Sequence, residues 1–233
     1  MIYSFTWNGW NCRDMGIRLR EMPPIIRPEE RIQHVTIPGR SGELTLAEGE
    51  DVYNSYIQTI PLAVKTEAAV RSVESWLRGS GTVTFSCQPD MEQAARVINA
   101  VTFTKHSRNS VWWDGEVQFY CDPIKYEVDE DELEISESGT TIENQSGLIS
   151  FPLITLHGSG TFTATVRCGG YTLTVPSATE GLVIDCENKW MIRNGIPLMT
   201  ACSGNFPVLN PGENVITFTG ASSVTVQPRI RYL

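Results

Sequence analysis

The residues best suited to chemistry in this chain are 3 histidines, 6 cysteines and a run of carboxylates. His34, His106 and His157 stand far apart, with no second histidine at metal-ligand spacing from any of them. Each reads as a surface or hydrogen-bonded structural residue rather than as a base or ligand. Cys12, Cys87, Cys121, Cys168, Cys186 and Cys202 include no closely spaced pair, which removes the usual zinc patterns. Scattered through a long chain, they read as free buried thiols rather than a disulfide framework.

The carboxylates cluster at Glu127, Asp129, Glu130, Asp131, Glu132 and Glu134. A calcium loop of the EF-hand type needs a glycine at its sharp turn, and this run has none. A glycosidase acid needs burial to raise its pKa, and a run of like charges stays in water. The stretch therefore reads as a solvated linker. Asp114 and Glu116, on one face of a strand, are the weaker candidates for a hydrolytic pair. Neither a phosphate loop nor a Gly-x-Ser-x-Gly elbow occurs. The expectation is a chain that is not an enzyme, with no catalytic, cofactor-binding or metal-binding residues.

Two tryptophans and one turn remain as candidates for contact. Trp112, on the polar side of its strand, and Trp190, near a turn, could stack on a sugar or a partner, or could pack against their own loops. Gly39, Arg40, Ser41 and Gly42 lie between apolar-polar runs, as in a hairpin. The glycines allow positive φ, and Arg40 offers a planar fork of donors for a carboxylate on another subunit, or to water.

The net charge of -9 is unevenly placed. Residues 1–126 carry 13 basic and 15 acidic groups, net -2, and residues 127–233 carry 5 and 12, net -7. No cluster of Lys and Arg along the chain suggests a phosphate-binding surface, so nucleic acid is not an expected ligand. No stretch approaches the roughly 20 apolar residues of a membrane span, and the N-terminus lacks the pattern of a secretory signal. Synthesis in the cytoplasm is expected.

These residues must be positioned by strands. The 19 glycines and 13 prolines, together with many Thr and Val, suit short strands and tight turns. The exception is 66–78, where Thr66 can cap a helix and Gly79 can end it, with Ala69, Val70, Val73, Trp76 and Leu77 on one face. Glu67 with Arg71, and Glu74 with Arg78, could pair on the other face. Alternation predicts strands at Val111–Cys121 and Gly81–Cys87, with Val97–Lys105 as a neighbour of the latter. After the acidic run come about eight short strands, ending with one at Ile230 and Tyr232, separated by turn signals such as Gly169-Gly170 and Asn194-Gly195. The expected organisation is a β-sandwich-like domain with one helix over 1–126, a linker over 127–138, and a jelly-roll sandwich over 139–233.

The order of these pieces resembles the siphophage distal tail protein family. The residues that carry the resemblance are Ile37–Leu44, the single helix ending at Gly79, the strand closing on Cys121–Tyr126, and a last domain containing Asn210–Ile216 and Pro228–Leu233. It implies a mainly β fold with a ring-forming N-terminal domain and a galectin-like C-terminal sandwich. It also implies a virion protein of the tail tip, assembled as a homo-hexamer. Its expected partners are the tail tube protein and a tail-associated lysin or fibre protein, with a receptor-binding protein in some members. DNA would leave through the ring's central passage. Met22–Glu30 is expected as a small projecting loop. The competing reading is a carbohydrate-binding sandwich used in host-surface adhesion.

Overall fold

The computed structural model describes residues 3–49, 51–105, 107–198 and 202–233. Two compact units divide the chain, residues 1–128 with Leu233, and residues 129–232.

In the first unit the strands are β1 (Phe5–Trp7), β2 (Trp10–Asn11), β3 (Ile17–Leu19), β4 (Ile32–Thr36), β5 (Glu43–Ala47) and β6 (Tyr56–Val64), before helix α1 (Glu67–Trp76). After the helix come β7 (Ser80–Phe85), β8 (Met91–Val97), β9 (Phe103–Lys105) and β10 (Trp113–Glu127). All but β4 and β5 join one antiparallel sheet in the order β2-β1-β7-β8-β10-β6-β3, with β9 also on β10. Alternation explains its buried face: Gln58, Ile60, Leu62 and Val64 from β6 meet Val117, Phe119 and Cys121 from β10. Phe5, Trp7 and Phe85 close on Phe119 at centroid distances of 5.2–6.0 Å. Burying each such side chain contributes roughly 1.5–3 kcal/mol, so this aromatic cluster is a main source of the unit's stability.

The helix covers that core. Ala69 N donates to Thr66 Oγ1 at 3.1 Å, and Glu67 lies in the first turn, where the helix dipole favours a carboxylate. Val70, Val73 and Leu77 are buried beneath it. Glu67 pairs with Arg71, but Glu74 and Arg78 do not pair, because helical geometry ends at Leu77 and i,i+4 spacing no longer brings them together.

Two strand expectations are corrected here. The partner of β7 is β8, not a strand over Val97–Lys105, which is broken in its middle. There the Asn99 side chain donates to Glu116 O and accepts from Gln118 N, both at 2.8 Å. It takes the place of a ladder bond and ends the strand. The strand expected at Val111–Cys121 starts at Trp113 instead, because Ser110 Oγ accepts from Trp112 N at 3.0 Å and holds a turn. At its other end the strand runs past Pro123, where its register with β8 slips between Cys121 and Lys125 and so accommodates the missing N–H. Met22–Glu30 has no regular structure, yet Pro23 and Pro28 are buried and Gln58 Nε2 donates to Pro24 O, so it does not project freely.

The second unit contains β11 (Leu133–Ile135), β12 (Thr140–Asn144), β13 (Leu153–His157), β14 (Thr161–Cys168), β15 (Tyr171–Thr179) and β16 (Leu182–Asp185). They are followed by β17 (Trp190–Arg193), β18 (Ile196–Leu198), β19 (Ser203–Gly204), β20 (Gly212–Thr219) and β21 (Ser223–Gln227). Two antiparallel sheets, β11-β21-β13-β16-β17-β18 and β12-β20-β14-β15-β19, enclose one apolar core. Inward residues alternate along each strand, as in Ala164, Val166 and Cys168 or Val224 and Val226. The hairpins at Gly169-Gly170 and Asn194-Gly195 have positive φ at both central residues, as a two-residue primed turn requires.

Within 127–138, read from sequence as a solvated linker, Leu133–Ile135 pairs with β21. Glu130 there accepts from Arg229 N at 2.6 Å and from Ile230 N at 2.8 Å. The second bond also explains why Ile230 starts no regular strand: its backbone N–H turns to a carboxylate rather than to a ladder.

Candidate functional site

Gly39, Arg40, Ser41 and Gly42 form the tip of a hairpin. β4 and β5 pair only with each other, Val35 opposite Leu44 and Gln33 opposite Leu46, while both glycines adopt φ of 83°. Directly opposed residues share a face, so Val35, Leu44 and Leu46 lie with Gln33 on one face, and His34, Thr36, Glu43 and Thr45 lie with Ile32 and Ala47 on the other. Val35 and Leu46 are 39% and 46% exposed, and a two-stranded ribbon alone in water is marginally stable. This ribbon is built to be covered.

Arg13, Arg18 and Lys65, separated in sequence, line one groove with Tyr3, Asp14 and Trp112. Its open volume of about 920 Å³ is ligand-sized. The Arg18 guanidinium lies 5.1 Å from the centroid of the Trp112 ring, which orients it by a cation-π contact. None of the three cations is within ion-pair distance of a carboxylate among the described residues. The fold thus assembles a cationic surface that linear charge counting misses. Trp112, expected on the polar side of its strand, precedes the strand and forms a wall of the groove.

The other aromatic candidate, Trp190, opens β17 and is 45% exposed. Its indole Nε1 donates to Asp185 Oδ2 at 3.3 Å, and Asp185 also accepts from the backbone N–H groups of Glu187 and Asn188. The edge that would hydrogen-bond a ligand is occupied by the turn that positions it.

The candidate hydrolytic pair is similarly engaged. Asp114 forms an ion pair with Arg20, and Glu116 Oε1 accepts from Gln118 Nε2 at 2.9 Å. Neither is placed as a buried acid.

A hydroxyl-imidazole-carboxylate chain that spacing did not reveal comes from β13, the β15–β16 turn and β21. Thr225 Oγ1 lies 2.9 Å from His157 Nε2, and His157 Nδ1 lies 2.8 Å from Glu180 Oε1. Gly158 N donates to Glu180 Oε2 at 2.7 Å. Hydrogen bonding to His157, then to Gly158, holds the Glu180 carboxyl below its usual range. The order matches a Ser-His-Asp triad, but strands pair with β21 on both sides of Thr225. Their ladders take up the backbone N–H groups that an oxyanion hole would need. The chain is a structural clasp across the sheet. His34 lies 3.7 Å from Glu43 on the exposed ribbon, and His106 falls outside the described residues.

The cysteines are all free, as expected, but they are not all buried: Cys87 is half-buried and Cys202 is exposed. Burial pushes the Cys121 thiol up to about 12 and Cys168 to about 11, and raises Cys12, Cys87 and Cys186 as well. Protonated thiols are poor nucleophiles and metal ligands. Lys125 is 4% exposed, its Nζ donates to Gln88 Oε1 at 3.0 Å, and burial lowers its pKa. A depressed lysine could serve as a nucleophile, but the adjacent cavity holds about 10 Å³, too little for a substrate. Among the described residues no group of three or more His, Cys, Asp or Glu is placed to hold a metal, and no helix is long and apolar enough to cross a membrane.

Neither a protein-family model nor a curated protein matches the sequence. Among solved structures, the crystal structure of SPP1 Dit (gp 19.1), described as a paradigm of the hub adsorption apparatus in phages infecting Gram-positive bacteria, matches over 100% of both chains. The TM-score is 0.75 and the identity 16%, so the whole chain shares that protein's fold. Among the described residues this fold is mainly β with one helix, as the sequence led us to expect.

Proposed function

We propose that this chain is a non-enzymatic hub subunit of a phage tail tip. Six copies form a ring that joins the tail tube to a tail-associated lysin or fibre protein, and DNA leaves through its centre. The observation that carries this reading is the correspondence with SPP1 Dit over the full length of both chains. Supporting it are engaged carboxylates, thiols that are mostly buried, and a freestanding ribbon with exposed apolar side chains such as Val35 and Leu46. In a ring, each subunit offers different patches to its two neighbours, and the hairpin at Gly39–Gly42 is one patch in this proposal. Arg40 at its tip pairs with a carboxylate of the next subunit.

Light scattering and native mass spectrometry of the full chain test the proposal. Six chains of 25.9 kDa give a particle of about 155 kDa. A sample that remains single-copy when mixed with its tail neighbours would falsify the ring. A glycan array addresses the competing reading: affinity lost in Trp190→Ala, with no assembly, would favour a sugar-binding sandwich.

A further inference from the structure

We infer that the cationic groove of one copy receives the acidic edge strand β11 of a second copy. This rests on the ring proposed above and identifies a pair of surfaces that closes it.

Three observations point the same way. First, Arg13, Arg18 and Lys65 against Asp14 give the groove a local charge of +2 in a chain whose net charge is -9. A positive concavity on an otherwise acidic molecule favours an acidic visitor. Second, Asp131, Glu132 and Glu134 are exposed on and just before β11, and Leu133 between them is 39% exposed. Leu133 suits the apolar lining at Leu19 and Trp112, while the flanking carboxylates suit its cations. Third, β11 ends the six-stranded sheet, and β3, which lines the groove, ends the eight-stranded one. Each terminal strand has a free side, so one can align beside the other.

The charges also select the pairing. Two acidic β11 edges repel, which disfavours a symmetric dimer through that strand and leaves head-to-tail association with the groove. Nucleic-acid phosphate is the competing occupant. The apolar lining and the chain's own acid-Leu-acid strand favour polypeptide.

The experiment uses full-length protein with three variants: Arg13→Glu with Arg18→Glu, Asp131→Lys with Glu132→Lys, and all four together. All four positions are exposed, so circular dichroism should show an unchanged fold. Assembly is followed by light scattering against concentration and salt, and binding of short duplex DNA by anisotropy. Each double variant should weaken assembly roughly tenfold or more, the quadruple variant should restore it, and added salt should reduce the difference. If wild type forms rings and Arg13→Glu with Arg18→Glu forms them equally well, this inference fails while the ring reading stands. Failure of the quadruple variant to recover also overturns it. DNA binding lost in the groove variant with assembly intact reassigns the groove to phosphate. A wild type that never assembles, even with tail neighbours, removes the ring reading and this pairing with it.

Discussion

Trp76 lies flat on Phe5, their ring centroids 5.8 Å apart and their planes within 9° of parallel. This stack joins the last turn of the only α-helix among the described residues to the first strand. The Trp76 indole N–H is buried without a partner, so the residue contributes its ring rather than a hydrogen bond. Trp76→Ala should destabilise the first unit by about 3 kcal/mol, and Trp76→Phe by about 1 kcal/mol or less. Urea unfolding of the full chain, followed by circular dichroism, measures both. Equal losses would mean that stacking area is not what matters.

Glu130 makes a different kind of join, because its carboxylate collects the N–H groups of Arg229 and Ile230. Glu130→Gln places an amide donor near two donors and should cost about 1–2 kcal/mol. Amide exchange at Arg229 and Ile230 should accelerate in that variant, while exchange in β14 stays slow. Unchanged exchange at both positions would contradict this role.

The buried thiols make the fold sensitive to alkali. Cys121 has its folded pKa raised from 9.0 to about 12 by burial, so folding favours the protonated thiol. The sign follows: this contribution is fully present below pH 9.0 and is lost as pH rises through the folded value. Melting temperature should therefore fall between those limits, with Cys168 and Cys186 acting in the same direction. Lys125 acts oppositely, since its lowered pKa makes the neutral amine the favoured folded form and stability rises with pH as it deprotonates. Cys121→Ala should flatten the alkaline decline, and Lys125→Met should steepen it by removing the opposing group. Melting curves from pH 8 to 11 decide the point.

Two glycines separate backbone strain from crowding. Gly195 has φ of 75° with open space where a Cβ would go, and Gly220 has φ of 82° with Thr163 O only 1.8 Å from that position. Gly195→Ala should cost about 1 kcal/mol, the left-handed penalty alone, and Gly220→Ala about 2–4 kcal/mol. Thermal unfolding that ranks them the other way would refute the distinction.

Local features were legible because their causes are local. Thr66 caps its helix through a side chain three residues from the N–H that it satisfies, and Gly169-Gly170 turns because both residues tolerate positive φ. The inward alternation of Val117, Phe119 and Cys121 likewise follows from the two-residue period of a strand. Asn99 escaped notice because a side chain standing in for backbone in a ladder leaves no periodic trace. Glu130 escaped because a carboxylate in an acidic run reads as solvated until its distant donors are known.

The sequence alone determined that the chain is mainly β, where its helix begins, and that its turns are tight, since these depend on dihedral preference and short-range periodicity; the helix end, expected at Gly79, falls at Trp76. Tertiary structure decided which strands pair, that β4 and β5 stand apart from the main sheet, and that Arg13, Arg18 and Lys65 meet around Trp112. The physical reason is that sheet partners and charge clusters form between positions tens of residues apart. Their proximity is set by packing the whole core, and no short window of sequence encodes it.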